Sequence, residues 1–357
     1  MMKNSVVFLL CFVFFGFTAC PFPEPLPKDM QEIRDYLTAQ PGGESADDPI
    51  DLILNIDLPY VVTRYGDRYP NISNLLLAIA YSKKYVNLDL SGCGMDEPFL
   101  SFGGSANGRK YVINLVLPDK ATTINSFGNV SSENRSARGV EPWDYFSNLK
   151  AVSGKNIIVI EGAPFMYSNK LVDVDFPNAV IIGWEAFYRC IRLENISFPL
   201  VTSIGDMAFF ECRNFQDVSF PLTVSIGQGA FYGCDNLACI DLSSVQNIGN
   251  YVFRDNRKHD LVITMGSVAP TVGYGVFDIP PTSTKSVTVF VPAGATGYGD
   301  FIGEPPHITL SGQDETVCWG NGLRGMGWDG NSFITDNYNL LDRNISVTII
   351  QQEEIVD

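Results

Sequence analysis

A β-rich solenoid built from repeats of 22 residues is the fold this sequence predicts, and three observations predict it. The first is a segment written twice in full. Phe198-Pro199, Ile204-Gly205, Ala208-Phe209, Cys212, Phe215 and Val218 return 22 residues later as Phe220-Pro221, Ile226-Gly227, Ala230-Phe231, Cys234, Leu237 and Ile240. The second is that the register continues both ways. Upstream it holds Phe176, Pro177, Ile182, Gly183, Ala186, Phe187, Cys190, Leu193 and Ile196, with Ile160, Phe165, Leu171 and Val174 before them. Downstream it holds Leu242, Ile248, Gly249 and Phe253, with Asn256 in the cysteine position. The third is alternation. Asp173-Val174-Asp175 and Asp217-Val218-Ser219 place one apolar residue between two polar ones, as a strand with one buried face does.

A period of this length, with Leu, Ile and Phe at fixed places and Asn or Cys at one, marks leucine-rich repeats. One repeat has an apolar edge that it cannot bury alone. Stacking repeats buries those edges in a continuous core, each ladder made of one position repeated. The expected architecture is a parallel strand ladder over 86–265, an N-terminal capping region over 28–85 and a β-rich C-terminal cap over 266–357.

Residues 1–19 read as a signal peptide. Lys3 gives a minimal positive region, and Val6 to Phe17 is apolar but too short to span a bilayer. The stretch closes Phe17-Thr18-Ala19-Cys20, which resembles a bacterial lipoprotein signal. That resemblance implies a lipid on Cys20 as the mature N-terminus; an ordinary secretory cleavage near Cys20 is the other reading. Alternate prolines over 20–27 make a stiff tether, and membrane attachment is expected through that lipid alone.

Lys28 to Ala39 carries Met30, Ile33, Tyr36 and Leu37 at helical spacing and stops at Pro41-Gly42-Gly43. Ile50 to Leu54 reads as a strand. Asn71 to Lys84 reads as a second helix with Asn71 or Ser73 as its cap. Both helices are expected to close the N-terminal end, because an exposed first coil is an open sheet edge. Leu88 and Leu90, then Leu115 and Leu117, point inward on the first rungs. Asn125 to Pro142 is a polar insertion, and Trp143 falls in the phenylalanine position. One extra residue after Arg254 shifts Leu261, Ile263 and Met265 inward. Val287 to Val291 and Ile345 to Ile350 read as strands, Gly294 to Asp300 as a turn, and Trp319 to Trp328 as too glycine-rich for a stable helix.

The run Ile-Gly-x2-Ala-Phe-x2-Cys, with a Phe-Pro or Leu-Pro strand end, resembles the BspA-like leucine-rich repeats of bacterial surface proteins. Tyr85 to Cys93, Val291 to Tyr298 and Trp319 to Gly330 resemble the same family, and the likeness covers nearly all of residues 28–350. It implies a location on the outer surface of the cell envelope and a role in attachment to host matrix, host cells or other bacteria. It supplies no catalytic residues and names no ligand.

Chemistry is sparse. The net charge of −16 argues against a nucleic acid partner. His259 and His307 have no metal-ligand spacing, and no nucleophile elbow, phosphate loop or zinc motif is present, so no enzyme, cofactor or metal site is expected. Cys190, Cys212 and Cys234 share one repeat position, with side chains too parallel for a disulfide, and read as a buried thiol ladder. Cys93, Cys239 and Cys318 have no visible partner.

Two surfaces are candidates. Strand alternation turns Asp173, Asp175, Asn195, Ser197, Asp217, Ser219 and Asp241 outward as a polar, partly acidic face. It is either a merely solvated face or a site for a protein or glycan. Tyr188, Phe210 and Tyr232 form an aromatic ladder, either half-buried packing or a sugar-stacking platform. The function that follows is a lipid-anchored surface binding protein that adheres to host or bacterial proteins or glycans. The alternative is a structural envelope lipoprotein without a host ligand.

Overall fold

The computed structural model describes residues 7–10, 28–58, 60–62, 68–70, 72–102, 108–125, 145–256, 260–273, 275–277, 286–292 and 346–352. They divide into two units, Met1–Asn178 and Ala179–Asp357, and each is a stack of parallel-strand coils. Cys11, Cys20, the tether, residues 126–144 with Trp143, both histidines, Gly294 to Asp300, Cys318 and Trp319 to Trp328 lie outside the described residues.

In the first unit the chain order is β1 (Val7–Leu10), α1 (Lys28–Ala39), β2 (Ile50–Ile56), β3 (Tyr60–Val62), β4 (Arg68–Pro70), α2 (Ser73–Ser82), β5 (Val86–Asp89), β6 (Phe99–Ser101), a 3-10 turn at Arg109–Tyr111, β7 (Val112–Val116), β8 (Thr123–Asn125), β9 (Ala151–Ser153), β10 (Val159–Ile160) and β11 (Asp173–Asp175). Helix α1 buries Met30, Ile33 and Leu37 against α2, which buries Leu75, Leu76, Ala78 and Ile79. The cap of α2 differs from expectation. Its N-cap is Ile72, with no side-chain cap bond; Ser73 is already the first helical residue, and Asn71 is not described. The apolar face of α2, rather than a polar cap, fixes where it starts.

Helix α1 stops at Gly42 and Gly43, with φ of 86° and 72°, a conformation glycine takes without steric cost. Buried Lys84 holds this end. Its ammonium donates to the carbonyls of Gln40 (3.1 Å) and Gly42 (2.9 Å) and to Glu44 Oε1 (2.5 Å). A cation at the carbonyl end of a helix answers both the unpaired acceptors and the dipole.

The front ladder of this unit runs β2-β5-β7-β9-β11, all parallel, so it starts at Ile50 rather than at Val86. Leu52, Leu88, Leu115, Val152 and Val174 are register partners down this ladder, and all are buried. A second ladder, β6-β8-β10, aligns Leu100, Ile124 and Ile160 in the same way. Val7–Leu10, inside the apolar leader, lies parallel to β2 with Val7 opposite Ile53 and Leu10 opposite Ile56.

The second unit contains β12 (Ile181–Ile182), β13 (Asn195–Ser197), β14 (Ser203–Ile204), β15 (Asp217–Ser219), β16 (Ser225–Ile226), β17 (Cys239–Leu242), β18 (Asn247–Ile248), β19 (Leu261–Met265), β20 (Thr271–Val272), β21 (Ser286–Pro292) and β22 (Ser346–Gln352). Ile204, Ile226, Ile248 and Val272 are register partners in β14-β16-β18-β20, and Ile182 joins them from β12. The front sheet is β15-β17-β19-β21-β22, with Val218, Ile240, Ile263 and Val289 in one column.

Between these ladders runs a column of buried phenylalanines. Phe187, Phe209, Phe231, Phe253 and Phe277 stack in parallel, centroid to centroid 5.3, 5.5, 5.8 and 5.8 Å apart and within 9° of coplanar. Burying each ring contributes about 1.5–3 kcal/mol. Their backbones are laddered too: Phe187, Phe209 and Phe231 N–H donate to the carbonyls of Ala208, Ala230 and Val252, at 2.8, 2.8 and 3.0 Å. The cysteine position completes the turn. Cys212 Sγ donates to Phe187 O (3.1 Å) and Cys234 Sγ to Phe209 O (3.2 Å), a second donor for carbonyls that already accept the Cys190 and Cys212 N–H.

Two rules of the repeat now have causes. The residues two before and two after Phe187, Phe209, Phe231 and Phe253 are left-handed: Glu185 and Arg189, Met207 and Glu211, Gly229 and Gly233, Tyr251 and Asp255, with φ from 50° to 66°. The Ile-Gly position is glycine for space. A Cβ on Gly227 would sit 2.5 Å from Asp206 N, and one on Gly205 would sit 2.6 Å from the carbonyl carbon of Gly183. Gly227→Ala should therefore lower unfolding stability by about 1–3 kcal/mol through overpacking. Gly229→Ala, where the nearest neighbour of the new Cβ is 3.7 Å away, meets only the left-handed backbone and should cost about 1 kcal/mol. Urea titrations of the two variants check the order.

Candidate functional site

The outward front positions are where alternation puts them. Asp173 and Asp175 are exposed on either side of buried Val174, next to Ala151 and Ser153 on β9. Further along this face the polar groups bind one another. Asn114 Nδ2 donates to Asn87 Oδ1 (2.7 Å), and Asn87 Nδ2 donates to Asp51 Oδ1 (2.8 Å), a chain of amides across three strands.

In the second unit Asn195 and Ser197 are exposed on β13, Asp217 and Ser219 on β15, and Asp241 is half-buried on β17. Asp217 lies opposite Cys239, and Ser219 opposite Asp241. The seven residues do not form one sheet, since β13 is not laddered to β15. Phe215 fills the position held by Leu193 and Leu237 in neighbouring coils. Its ring, fully buried 5.1 Å from that of Phe209, takes more room beneath β15 than leucine does. Ile196 on β13 is only half-buried, whereas Val218 and Ile240 are buried.

Exposed Cys239 shares this face. Partial burial raises its thiol above the ordinary range, and a hydrogen bond and the negative charge of Asp217 raise it further. Such a thiol stays protonated and is a poor nucleophile. Among the described residues, no three His, Cys, Asp or Glu side chains converge as metal ligands.

The aromatic ladder is a closed stack. Tyr188, Phe210 and Tyr232 are half-buried, with centroids 4.8 and 4.6 Å apart and interplanar angles of 6° and 16°. The Arg189 guanidinium lies 5.7 Å over Tyr188, and that of Arg254 lies 5.8 Å over Tyr232 and 5.0 Å over Tyr251. The ring faces are therefore taken by one another and by cations, and the ladder offers edges. A sugar-stacking platform needs an open face, so half-buried packing is the geometry found. Around the rings, Arg189 and Arg213 both donate to Glu211, at 3.1 and 2.9 Å, and Tyr232 Oη donates to Asp255 Oδ2 (2.9 Å). Arg254 is one period beyond Tyr232, so counting 22 residues onward would have found it.

Residues 145–278 match the family model described as a BspA type leucine rich repeat region, in six copies. No curated protein matches the chain. A leucine-rich-repeat protein of T. pallidum is 21% identical with a TM-score of 0.36, over 62% of this chain and 88% of that one. A leucine-rich repeat protein from Bacteroides ovatus is 19% identical with a TM-score of 0.32, over 59% of this chain and 42% of its own. A leucine-rich cell surface protein from Faecalibacterium prausnitzii is 14% identical with a TM-score of 0.28, over 56% of this chain and 79% of its own.

The buried thiols carry a pH signature. Burial pushes Cys93 from 9.0 up to about 11, and pushes Cys212 well above 9.0 with the neighbouring Cys190 and Cys234 adding to it. The folded state holds these protons more tightly than the unfolded chain does. Their effect is nil below the unfolded value of 9.0, and stability falls as pH rises through it toward the folded values. Urea midpoints of wild type and Cys93→Ala should diverge as pH falls from 11 to 9, the wild type regaining stability that the variant does not.

Proposed function

Because residues 145–278 are six BspA-type leucine-rich repeats, we propose that this chain is a cell-surface binding protein that works by adhesion to a protein or glycan and catalyses nothing itself. The observation that carries the reading is the front face. Short polar side chains stand out from laddered strands whose buried columns fix them, so a recognition surface needs no folding on contact. Asp173 and Asp175 in the first unit, and Asp217 and Asp241 in the second, each favour a basic partner. Cys20 attaches the chain to the membrane through lipid, and the proline tether holds the repeats clear of it.

Protease treatment of intact cells tests the location, with a periplasmic protein as control. Loss of the repeats while the control survives supports surface display. Survival until the envelope is permeabilised leaves the structural envelope role instead. Cys20→Ser should abolish fatty-acid labelling and release the chain from membranes; retained label would refute the anchor. On a panel of immobilised matrix proteins and glycans, Asp217→Asn with Asp241→Asn should weaken saturable binding about tenfold at an unchanged melting temperature. Unaltered binding would move the contact off this face.

A further inference from the structure

We propose that the ridge of Tyr188, Phe210, Tyr232 and Arg254 is a self-association surface, occupied by the same ridge of a second copy turned end for end. The four residues are one column, 22 residues apart, and form a continuous stack of three rings and a guanidinium. Beside it runs the next column: Arg189, Glu211, Gly233 and Asp255. Both columns are fixed by the backbone ladder beneath them, in which Arg189, Glu211 and Gly233 N–H donate to the carbonyls of Phe210, Tyr232 and Arg254.

The order of residues in the two columns selects the occupant. A two-fold axis in the contact plane, perpendicular to the ladder, reverses the rungs and lays each column on itself. Tyr188 of one copy then meets Arg254 of the other, whose guanidinium donates to the Tyr188 hydroxyl oxygen. Phe210 meets Tyr232, edge to edge. Arg189 meets Asp255, an ion pair, and Glu211 meets Gly233, which offers no charge to repel it. No like charges are opposed anywhere along the two columns. Both copies share one repeat, so all these pairings fall into step together. An isolated sugar gains nothing comparable, because the ring faces are already covered. The ridge is short, so the dimer is weak and concentration-dependent.

Sedimentation velocity of the full chain across a concentration series tests this. The wild type should shift from monomer toward dimer as concentration rises. Arg189→Asp opposes two carboxylates and Asp255→Arg opposes two guanidiniums, so each variant alone should dimerise at least about tenfold more weakly. Mixed together, the two variants should associate again, because every Asp at 189 then meets an Arg at 255 and every Arg at 189 meets an Asp at 255. Docking with the rungs in the same order brings neither pair together, so rescue reports the orientation as well. Circular-dichroism melts equal to wild type exclude unfolding as the cause of any loss. Arg189→Gln, a milder change, should give a smaller loss and replaces Arg189→Asp if that variant misfolds. A wild type that stays monomeric throughout, a dimer indifferent to both charge reversals, or a mixture that stays monomeric overturns the proposal. The front-face reading stands or falls separately, since it is tested with other residues and an external ligand.

Discussion

In the second unit, everything depends on coils lying close enough for like positions to touch. One such close approach is at the Ile-Gly step, where the backbone of one coil meets that of the last with no room for a methyl group. That spacing brings Phe187, Phe209, Phe231, Phe253 and Phe277 into parallel contact and lets each coil donate its N–H groups to the next. It also sets the distance across which Cys212 and Cys234 reach a carbonyl 25 residues earlier. Van der Waals stacking, the backbone ladder and the thiol bonds are thus consequences of one repeat distance. A change that widens one step weakens all three together.

The columns were legible in the sequence because the repeat is strict. Ile182, Ile204, Ile226 and Ile248 are spaced evenly, and a position that recurs with apolar residues in every copy must be interior. The outward set followed from strand alternation alone. Less was legible where the deciding quantity was a volume or an angle. Phe215 reads as an acceptable substitute for leucine, and the break between β13 and β15 has no counterpart in the repeat pattern. Lys84 enters the sequence reading only as the end of the second helix, yet it is buried over the end of α1, because the acceptors that hold it come from residues 40 to 44. Aromatic periodicity located Tyr188, Phe210 and Tyr232 but could not say whether their faces were open.

The two candidate surfaces differ in what holds them. Front-face residues sit on strands, with side chains alternating between core and solvent, and link through hydrogen bonds between neighbouring strands, as from Asn114 through Asn87 to Asp51. Ridge residues sit on turns and are coupled through ring contacts and the Arg189–Glu211–Arg213 bridges. A coupled set suits a single fixed arrangement, because moving one ring disturbs its neighbours.

The left-handed residues that flank each stacked phenylalanine also act as a filter on inheritance. Around Phe165, Phe187, Phe209, Phe231 and Phe253 these places hold Ala, Tyr, Glu, Arg, Met, Glu, Gly, Gly, Tyr and Asp, and none of these ten is branched at Cβ. Branching at Cβ is what that backbone refuses most strongly. The rule bars a side chain's shape at its root while leaving its charge and length open. Drift in these columns can therefore swap acid for base or short for long without touching the core. A lineage carrying such coils could change what its turn surface says to the outside while its scaffold stays as it was.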